Sequence, residues 1–415
     1  MTVKVYVIAG EPSGDRLGGA LMDALPSVMG PIEFRGVGGR DMQQAGLSSR
    51  FDMGELTVMG LTEVLPRLPG LLRRIRETAE DVVAWAPDVL ITIDSPDFSL
   101  RVAARARKAN PDLKVVHYVA PSVWAWRPGR AAKMARHVDH VLALLPFEPP
   151  YMHAAGMTCD FVGHPVAARA VPTSDQTAEF RARHGLAPDQ KALLLAPGSR
   201  RGEVRRLLPD FLTVLGRLRE NVPDLAAIVP VAETVDEAVR EMLSDVPGPN
   251  VILSASSGEP EKRLAFAAAD AALCASGTIV LELAAAGTPM VAAYRTTWLT
   301  AQIVRRLIRV NSSNLVNLIS GTATVPELLQ EFATVDAMSD AVLGLLTDPE
   351  ERARQIAVFD DVIGQMGRAG APPAERAAQS VARFLTGEAV LPSDPDQLLA
   401  NGPGPLERHI GRRSQ

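Results

Sequence analysis

Several things are scarce in this 415-residue chain, and each scarcity narrows its function. Two cysteines, Cys159 and Cys274, cannot build a disulfide framework. Each lies in an apolar, strand-like context and is expected as a buried free thiol. No grouping of His, Cys and Asp has metal-ligand spacing, so neither a bound metal nor a cofactor is expected. No apolar run is long enough to be read as a membrane span. The most apolar window, Ala271 to Tyr294, carries Glu282, two glycines and Pro289, and reads as strand–turn–helix–strand. No basic segment and cleavage site precede the first apolar run, so no signal peptide is visible and a cytoplasmic protein is expected. Lysine is scarce beside arginine, and the net charge of −5 gives no whole-protein attraction to nucleic acid. Basic surface must therefore be local. Arginines do cluster, at Arg67, Arg73, Arg74 and Arg76 and again at Arg200, Arg201, Arg205 and Arg206.

What is present describes a soluble globular protein, with 47% hydrophobic and 22% charged residues. The length is too great for one ordinary core and predicts two domains. Strand-like runs at Val3–Ala9, Ile32–Val37, Val89–Ile93, Lys114–Val119, Val141–Leu144 and Thr158–Val162 alternate with helical patterns at Leu17–Leu25, Leu71–Trp85, Leu100–Ala109 and Ala131–Arg136. Alternation of that kind builds a parallel sheet with crossover helices. A linker-like stretch of Ala, Pro, Thr and Ser follows around Val166–Gln176, and then the pattern restarts. Ala192–Ala196, Ala226–Val231, Val251–Leu253, Ala271–Cys274 and Met290–Ala293 read as strands, with helices such as Arg205–Glu220 and Ile279–Ala286 between them. The expected fold is α/β, with two doubly wound Rossmann-like domains, 1–168 and 177–365, facing across a cleft. A helix over 370–386 and a disordered tail over 387–415 complete the chain. No tandem repeat is present beyond this two-domain echo.

Ligands of open α/β sheets bind outside the carboxyl ends of the strands, so the loops there are where chemistry is expected. After the run ending at Val119 comes Ala120-Pro121-Ser122-Val123-Trp124-Ala125-Trp126-Arg127, with two of the four tryptophans two residues apart. Indoles on such a loop must pack against something, and the wall of a binding cleft is preferred to core. Ile93-Asp94-Ser95-Pro96-Asp97-Phe98 offers two carboxylates: Asp94 reads as a general base and Asp97 as a helix cap. Pro197-Gly198-Ser199-Arg200 opens a helix after the second domain's first strand. Amides at a helix start, one hydroxyl and one guanidinium suit a diphosphate. Ala275-Ser276-Gly277-Thr278 repeats that logic, and Glu282, one turn on, can accept both hydroxyl protons of a ribose. Gly10-Glu11-Pro12-Ser13-Gly14-Asp15 is a βα turn whose helix start also favours an anion. His164, in Gly163-His164-Pro165, is placed either against donor phosphate or against hinge backbone.

These strings, with Val58-Met59-Gly60, Leu145-Pro146-Phe147-Glu148 and Phe161-Val162 before Gly163, together resemble the lipid-A-disaccharide synthase family from Ile8 to about Leu329. The resemblance implies a glycosyltransferase-B fold. It also implies an inverting, metal-independent transfer from UDP-2,3-diacylglucosamine to 2,3-diacylglucosamine 1-phosphate. Asp94 would be the catalytic base. Gly198, Ser199, Arg200, Ser276, Gly277, Thr278, Glu282 and Asn317 would meet the UDP-sugar donor, with Asn314 beside them. Ser13, Gly14, Trp124 and Trp126 would meet the acylated sugar-phosphate acceptor.

Acylated substrates call for a lipid-facing surface. Val58 to Arg74 mixes apolar residues with prolines and arginines and lacks a clean helical period. Val58, Met59, Leu61, Leu65, Leu68, Leu71 and Leu72 are therefore expected to contact the inner membrane from its cytoplasmic face, peripherally. Two enzyme alternatives share the architecture: a UDP-sugar 2-epimerase, and another lipid-acceptor UDP-N-acetylglucosamine transferase. An oligomer is compatible with the sequence.

Overall fold

The computed structural model describes residues 2–56, 61–126, 129–296, 310 and 312–388, and for residues 61–67 the backbone alone. Val58, Met59, Arg127 and nearly all of the 387–415 tail lie outside the described residues. So do the side chains of Leu61, Leu65 and Arg67. The chain divides into two compact units, one of Met1–Ala168 together with the segment from Met366, the other of Arg169–Gln365.

In the first unit, strands β1 (Val3–Ala9), β2 (Ile32–Val37), β3 (Val89–Ile93), β4 (Val115–Tyr118), β5 (His140–Ala143) and β6 (Thr158–Phe161) form one sheet. Their order is β2-β1-β3-β4-β5-β6 and every pairing is parallel. The connections carry α1 (Pro12–Met29), α2 (Arg40–Gln44), α3 (Leu61–Trp85), α4 (Pro96–Ala109), α5 (Gly129–Met134) and α6 (Pro149–His153). Helices on both faces bury both faces of the strands, which is why β3 reads Val-Leu-Ile-Thr-Ile with every residue buried.

The second unit starts with α7 (Ser174–Arg183), capped by Thr173, whose hydroxyl accepts from Gln176 N while Gln176 reaches back to Thr173 N. It continues through β7 (Ala192–Ala196), α8 (Arg201–Asn221), β8 (Ala226–Pro230), α9 (Asp236–Leu243), β9 (Asn250–Leu253), α10 (Gly258–Ala268), β10 (Ala271–Ala275), α11 (Ile279–Ala286) and β11 (Met290–Tyr294). The last elements are α12 (Leu315–Ser320), β12 (Glu327–Leu329), α13 (Val335–Thr347) and α14 (Pro349–Gln365). The sheet runs β12-β11-β10-β7-β8-β9, again parallel. Its three-residue edge strand β12 is too short for a pattern of alternation to reveal.

The final helix, α15 (Pro373–Thr386), returns to the first unit, where Ala377, Ala378 and Val381 join the core that holds Leu21, Met22 and Leu25 of α1. A buried polar chain fixes it: Ser380 donates to Asp160 at 2.6 Å, and Arg383 reaches the same carboxylate at 3.0 Å. His140 Nε2 lies 2.8 Å from Ser380 Oγ and its Nδ1 2.8 Å from Thr158 Oγ1. Since the Ser380 hydroxyl proton goes to Asp160, Nε2 is the protonated nitrogen of a neutral ring. Burial, which drives the His140 pKa down to about 4, keeps it neutral. Cys159 and Cys274 are buried free thiols, and burial pushes Cys274 up to about 12.

One sequence expectation is corrected here. Helix α3 is continuous from Leu61, ten residues before the expected start, and contains both Pro66 and Pro69. Each proline removes one backbone hydrogen bond, but Ile75, Ala79 and Val82 sit on the buried face at helical spacing and hold the rest of the helix on the core. Leu71 packs against that same core, so it is not a free lipid contact. Leu68 and Leu72 are exposed, at 36% and 48%.

Candidate functional site

In each sheet the strand order reverses once, and the loops flanking that reversal carry the motifs singled out above. In the first sheet the reversal lies between β1 and β3, the place where open α/β sheets form a ligand crevice. The loops after these strands, Gly10-Glu11 and Asp94-Ser95, touch. A Cβ on Gly10 would fall 2.8 Å from Ser95 Oγ, so only glycine allows the approach. Helix α1 starts at Pro12 without a side-chain cap, and its first amides, around exposed Ser13 and buried Gly14, have no helical carbonyl to reach. Asp15, unassigned from sequence, is 4% exposed and accepts from Gly39 N, Asp41 N and Met42 N at 2.7, 2.9 and 3.1 Å. It thereby ties the β2–α2 loop to the start of α1.

Asp94 is half-buried at the end of β3, with its backbone N donating to Tyr118 O at 3.0 Å. Asp94 and Ser95 have φ of 48° and 44°, and Val119, after β4, has 82°. Left-handed backbone at non-glycine residues is strained, worst for a β-branched one, and such strain gathers at functional sites. Ser99 Oγ braces the turn by donating to Asp94 O and Ser95 O, at 2.6 and 2.9 Å. The expectation that Asp97 caps α4 is not met. Ser95 occupies the cap position without a side-chain bond, while Asp97 is exposed in the first turn, where its charge favours the helix dipole.

The loops after β4 and β5 meet through Trp124. Its indole N–H donates to Glu148 Oε1 at 3.3 Å, and its ring stands edge-on to Phe147, centroids 5.1 Å apart. Trp126, also half-buried, has Arg130 over its ring at 5.9 Å. His164 Nδ1 accepts from Val166 N at 3.1 Å, and His164 N donates to Met366 O at 3.3 Å. These backbone bonds leave the role of His164 toward donor phosphate open.

In the second sheet the reversal lies between β7 and β10, so the loops at Gly198 and Ser276 flank it. Gly198 has φ 114°, the conformation that turns the chain into α8. Ser199 and Arg200 are exposed, and Arg200 pairs loosely with Glu203 at 3.5 Å. Thr234, not foreseen, donates to Ser199 O at 2.9 Å and steadies this loop. Gly277 and Thr278 are exposed at the start of α11. Ser276 Oγ lies 3.1 Å from Ser313 Oγ, and Ser313 N is held by Glu327 at 2.9 Å.

Glu282 accepts from Arg169 at 3.0 Å and Lys262 at 2.8 Å. Burial alone would raise its pKa, but Lys262 and Arg169 outweigh burial and hold it below the usual carboxylate range. Asn314 caps α12 by accepting from Val316 N at 2.9 Å. The Asn317 amide bonds Val325, donating to its O at 2.9 Å and accepting from its N at 3.0 Å. Its direct bonds therefore shape the loop before β12. Sequence reading missed Glu148, Thr234, Lys262, Ser313 and Glu327 because each has a partner on another loop or element, 14 to 37 residues away in the chain. Only Glu148 had a signal, as the last residue of a quoted string. Among the described residues no three His, Cys, Asp or Glu side chains converge as a metal site, and no helix is long and apolar enough to cross a membrane.

Comparison with known proteins agrees with this layout. A lipid-A-disaccharide synthase from Ruegeria pomeroyi is 52% identical over 390 residues, covering 93% of this chain and 96% of that one. The UDP-GlcNAc 2-epimerase from Neisseria meningitidis, solved with UDP-GlcNAc bound, superposes with a TM-score of 0.60 at 12% identity, covering 93% of this chain and 100% of that one. A glycosyltransferase from Rickettsia africae gives 0.58 at 11% identity, covering 94% and 98%. Those structural likenesses are of fold alone, the glycosyltransferase-B type. The sequence match is of another kind: the Lipid-A-disaccharide synthetase family model matches residues 5–381, and the chain belongs to that family of glycosyltransferases.

Proposed function

We propose that the chain joins UDP-2,3-diacylglucosamine to 2,3-diacylglucosamine 1-phosphate, releasing UDP and the β-1,6-linked disaccharide 1-phosphate of lipid A. The observation that carries the assignment of roles is the position of Asp94. It is a half-buried carboxylate on a strained turn beside the strand-order reversal of the first sheet. In that role it takes the proton from the acceptor's 6-hydroxyl as the oxygen attacks the donor's anomeric carbon. The new C–O bond forms as the anomeric C–O bond to UDP breaks with inversion, and the electron pair leaves on the diphosphate. Arg200, Ser199 and the open amides of α8 receive that charge, and those of α11 after Gly277 assist. Glu282, kept ionised by Lys262 and Arg169, accepts the ribose hydroxyls. Ser13, the Gly14 amide and the Trp124–Trp126 loop take the acceptor.

Both substrates carry acyl chains, so the reading includes peripheral attachment to the cytoplasmic face of the inner membrane. Exposed Leu68 and Leu72 support it, with Arg73 and Arg76, whose pairs with Glu77 and Glu80 at 3.5 and 3.9 Å are exposed and weak. Arg74 is excluded from that role. It pairs with Glu55 at 2.7 Å and lies over Phe51. Incubating the protein with UDP-2,3-diacylglucosamine, with and without the acceptor, tests the proposal. Disaccharide and UDP should appear only when both are present. Epimerised donor would instead favour the epimerase alternative, and an untouched donor would remove both.

A further inference from the structure

The buried carboxylate of Glu148 has no part in the chemistry described so far, yet three donors converge on it. Leu144 N and Leu145 N donate to Oε2 at 3.1 and 3.0 Å, and the Trp124 indole donates to Oε1 at 3.3 Å. The residue is 4% exposed, and among the described residues no Lys or Arg forms an ion pair with it. A carboxylate buried without a cation is costly to keep, and a leucine of similar size would serve the core better. Its donors also come from two different loops. Leu144 and Leu145 follow β5, whereas Trp124 follows β4, and Phe147 beside Glu148 supports the same indole edge-on. The backbone entering the Trp124 loop is itself strained at Val119. A strained loop persists only where its surroundings over-determine it.

We propose that Glu148 is the positioning residue of the Trp124–Trp126 loop: its carboxylate holds the Trp124 indole in the orientation that receives the acceptor sugar. The inference rests on the reading that this loop is on the acceptor side. Glu148 touches no substrate. Its effect passes through Trp124, and a displaced wall loosens the acceptor without altering the base or the departing diphosphate.

The test is steady-state kinetics of disaccharide formation by the full chain, with acceptor and donor varied separately. Glu148→Leu removes the acceptor atoms, while Trp124→Phe keeps an aromatic ring against Phe147 and deletes only the indole N–H. Each should raise the acceptor KM about ten- to hundredfold, with donor KM within twofold of wild type. The double variant should be no worse than the more affected single one, because both break one link. Glu148→Gln keeps one carbonyl oxygen for the Leu144 and Leu145 amides but turns an amide N–H toward the indole N–H, so it should raise the acceptor KM about as Trp124→Phe does. Should Glu148→Leu fold poorly, Trp124→Phe and Glu148→Gln carry the test. Unchanged acceptor KM in Trp124→Phe, additive effects in the double variant, or equal changes in donor and acceptor KM would overturn the inference. Absence of transfer by the wild-type chain would instead overturn the underlying reading, and the two failures are distinguishable.

Discussion

At the scale of single residues, Asp94 and Arg200 answer to different tests because they act at different moments. In the proposed mechanism Asp94 works only as the acceptor proton leaves. Asp94→Ala should therefore lower turnover about 10²–10⁴-fold while UDP still binds, as measured by transfer assay and by calorimetric titration. Full turnover in Asp94→Ala with loss in Asp97→Ala would reverse the assignment, although exposed Asp97 in the first turn of α4 is poorly placed to take over. Arg200 is exposed, and in the proposed role it meets the diphosphate in both ground and transition states. Arg200→Ala should weaken UDP affinity about 10- to 100-fold, the size of one lost hydrogen bond to a charged group. Unchanged affinity would reduce Arg200 to a solvated partner of Glu203.

At the scale of elements, α3 separates two roles that one apolar sequence can play. Leu68 and Leu72 face outward while Leu71 packs on the core, a difference set by helical phase. Changing Leu68 and Leu72 together to Ser should reduce co-sedimentation with anionic liposomes and leave the melting temperature nearly unchanged, since exposed substitutions move stability by about 0.5 kcal/mol or less. Leu71→Ser should do the opposite, lowering the melting temperature while vesicle binding persists. If the Leu68/Leu72 pair melts early and still sediments, α3 is ordinary packing and the lipid surface lies elsewhere. Attachment through Arg73 and Arg76 should also weaken at high salt.

At the scale of the whole molecule, buried ionisable groups set an acid limit on stability. Burial holds both His117 and His140 down to about 4, against an ordinary 6.5. Between those values the unfolded chain binds protons that the native chain refuses, so the native state loses ground as pH falls from 6.5 toward 4. Burial moves Glu148 the other way, up to about 7 from 4.5, so its contribution is lost as pH rises through 7. Two rings outweigh one carboxyl over the shared range. The melting temperature should therefore fall steadily between pH 6.5 and 4.5, and a flat or rising profile would mean the histidines are not the controlling groups. His140 also ties β5 to α15 through Ser380, so acid should loosen the returning helix with the sheet.

Read without a structure, the residues already specified the α/β class, most of the strands and the loops that carry chemistry. Those properties follow from short-range causes: β-branched runs, helical spacing and glycines where a strand turns into a helix. Family strings such as Ile93–Phe98 and Pro197–Arg200 added roles that periodicity alone does not assign. Tertiary structure decided what depends on partners distant in sequence. Only folding makes α15 part of the first unit, because the partners of Ser380 lie 220 and 240 residues earlier. Folding also sets Gly10 against Ser95, since β1 and β3 are neighbours although β2 lies between them in the chain. The same cause puts Lys262 and Arg169 on Glu282, and the Trp124 indole on Glu148. Hydrogen bonds and ion pairs form between neighbours in space, and a linear chain records its spatial neighbours only where they are also close along it.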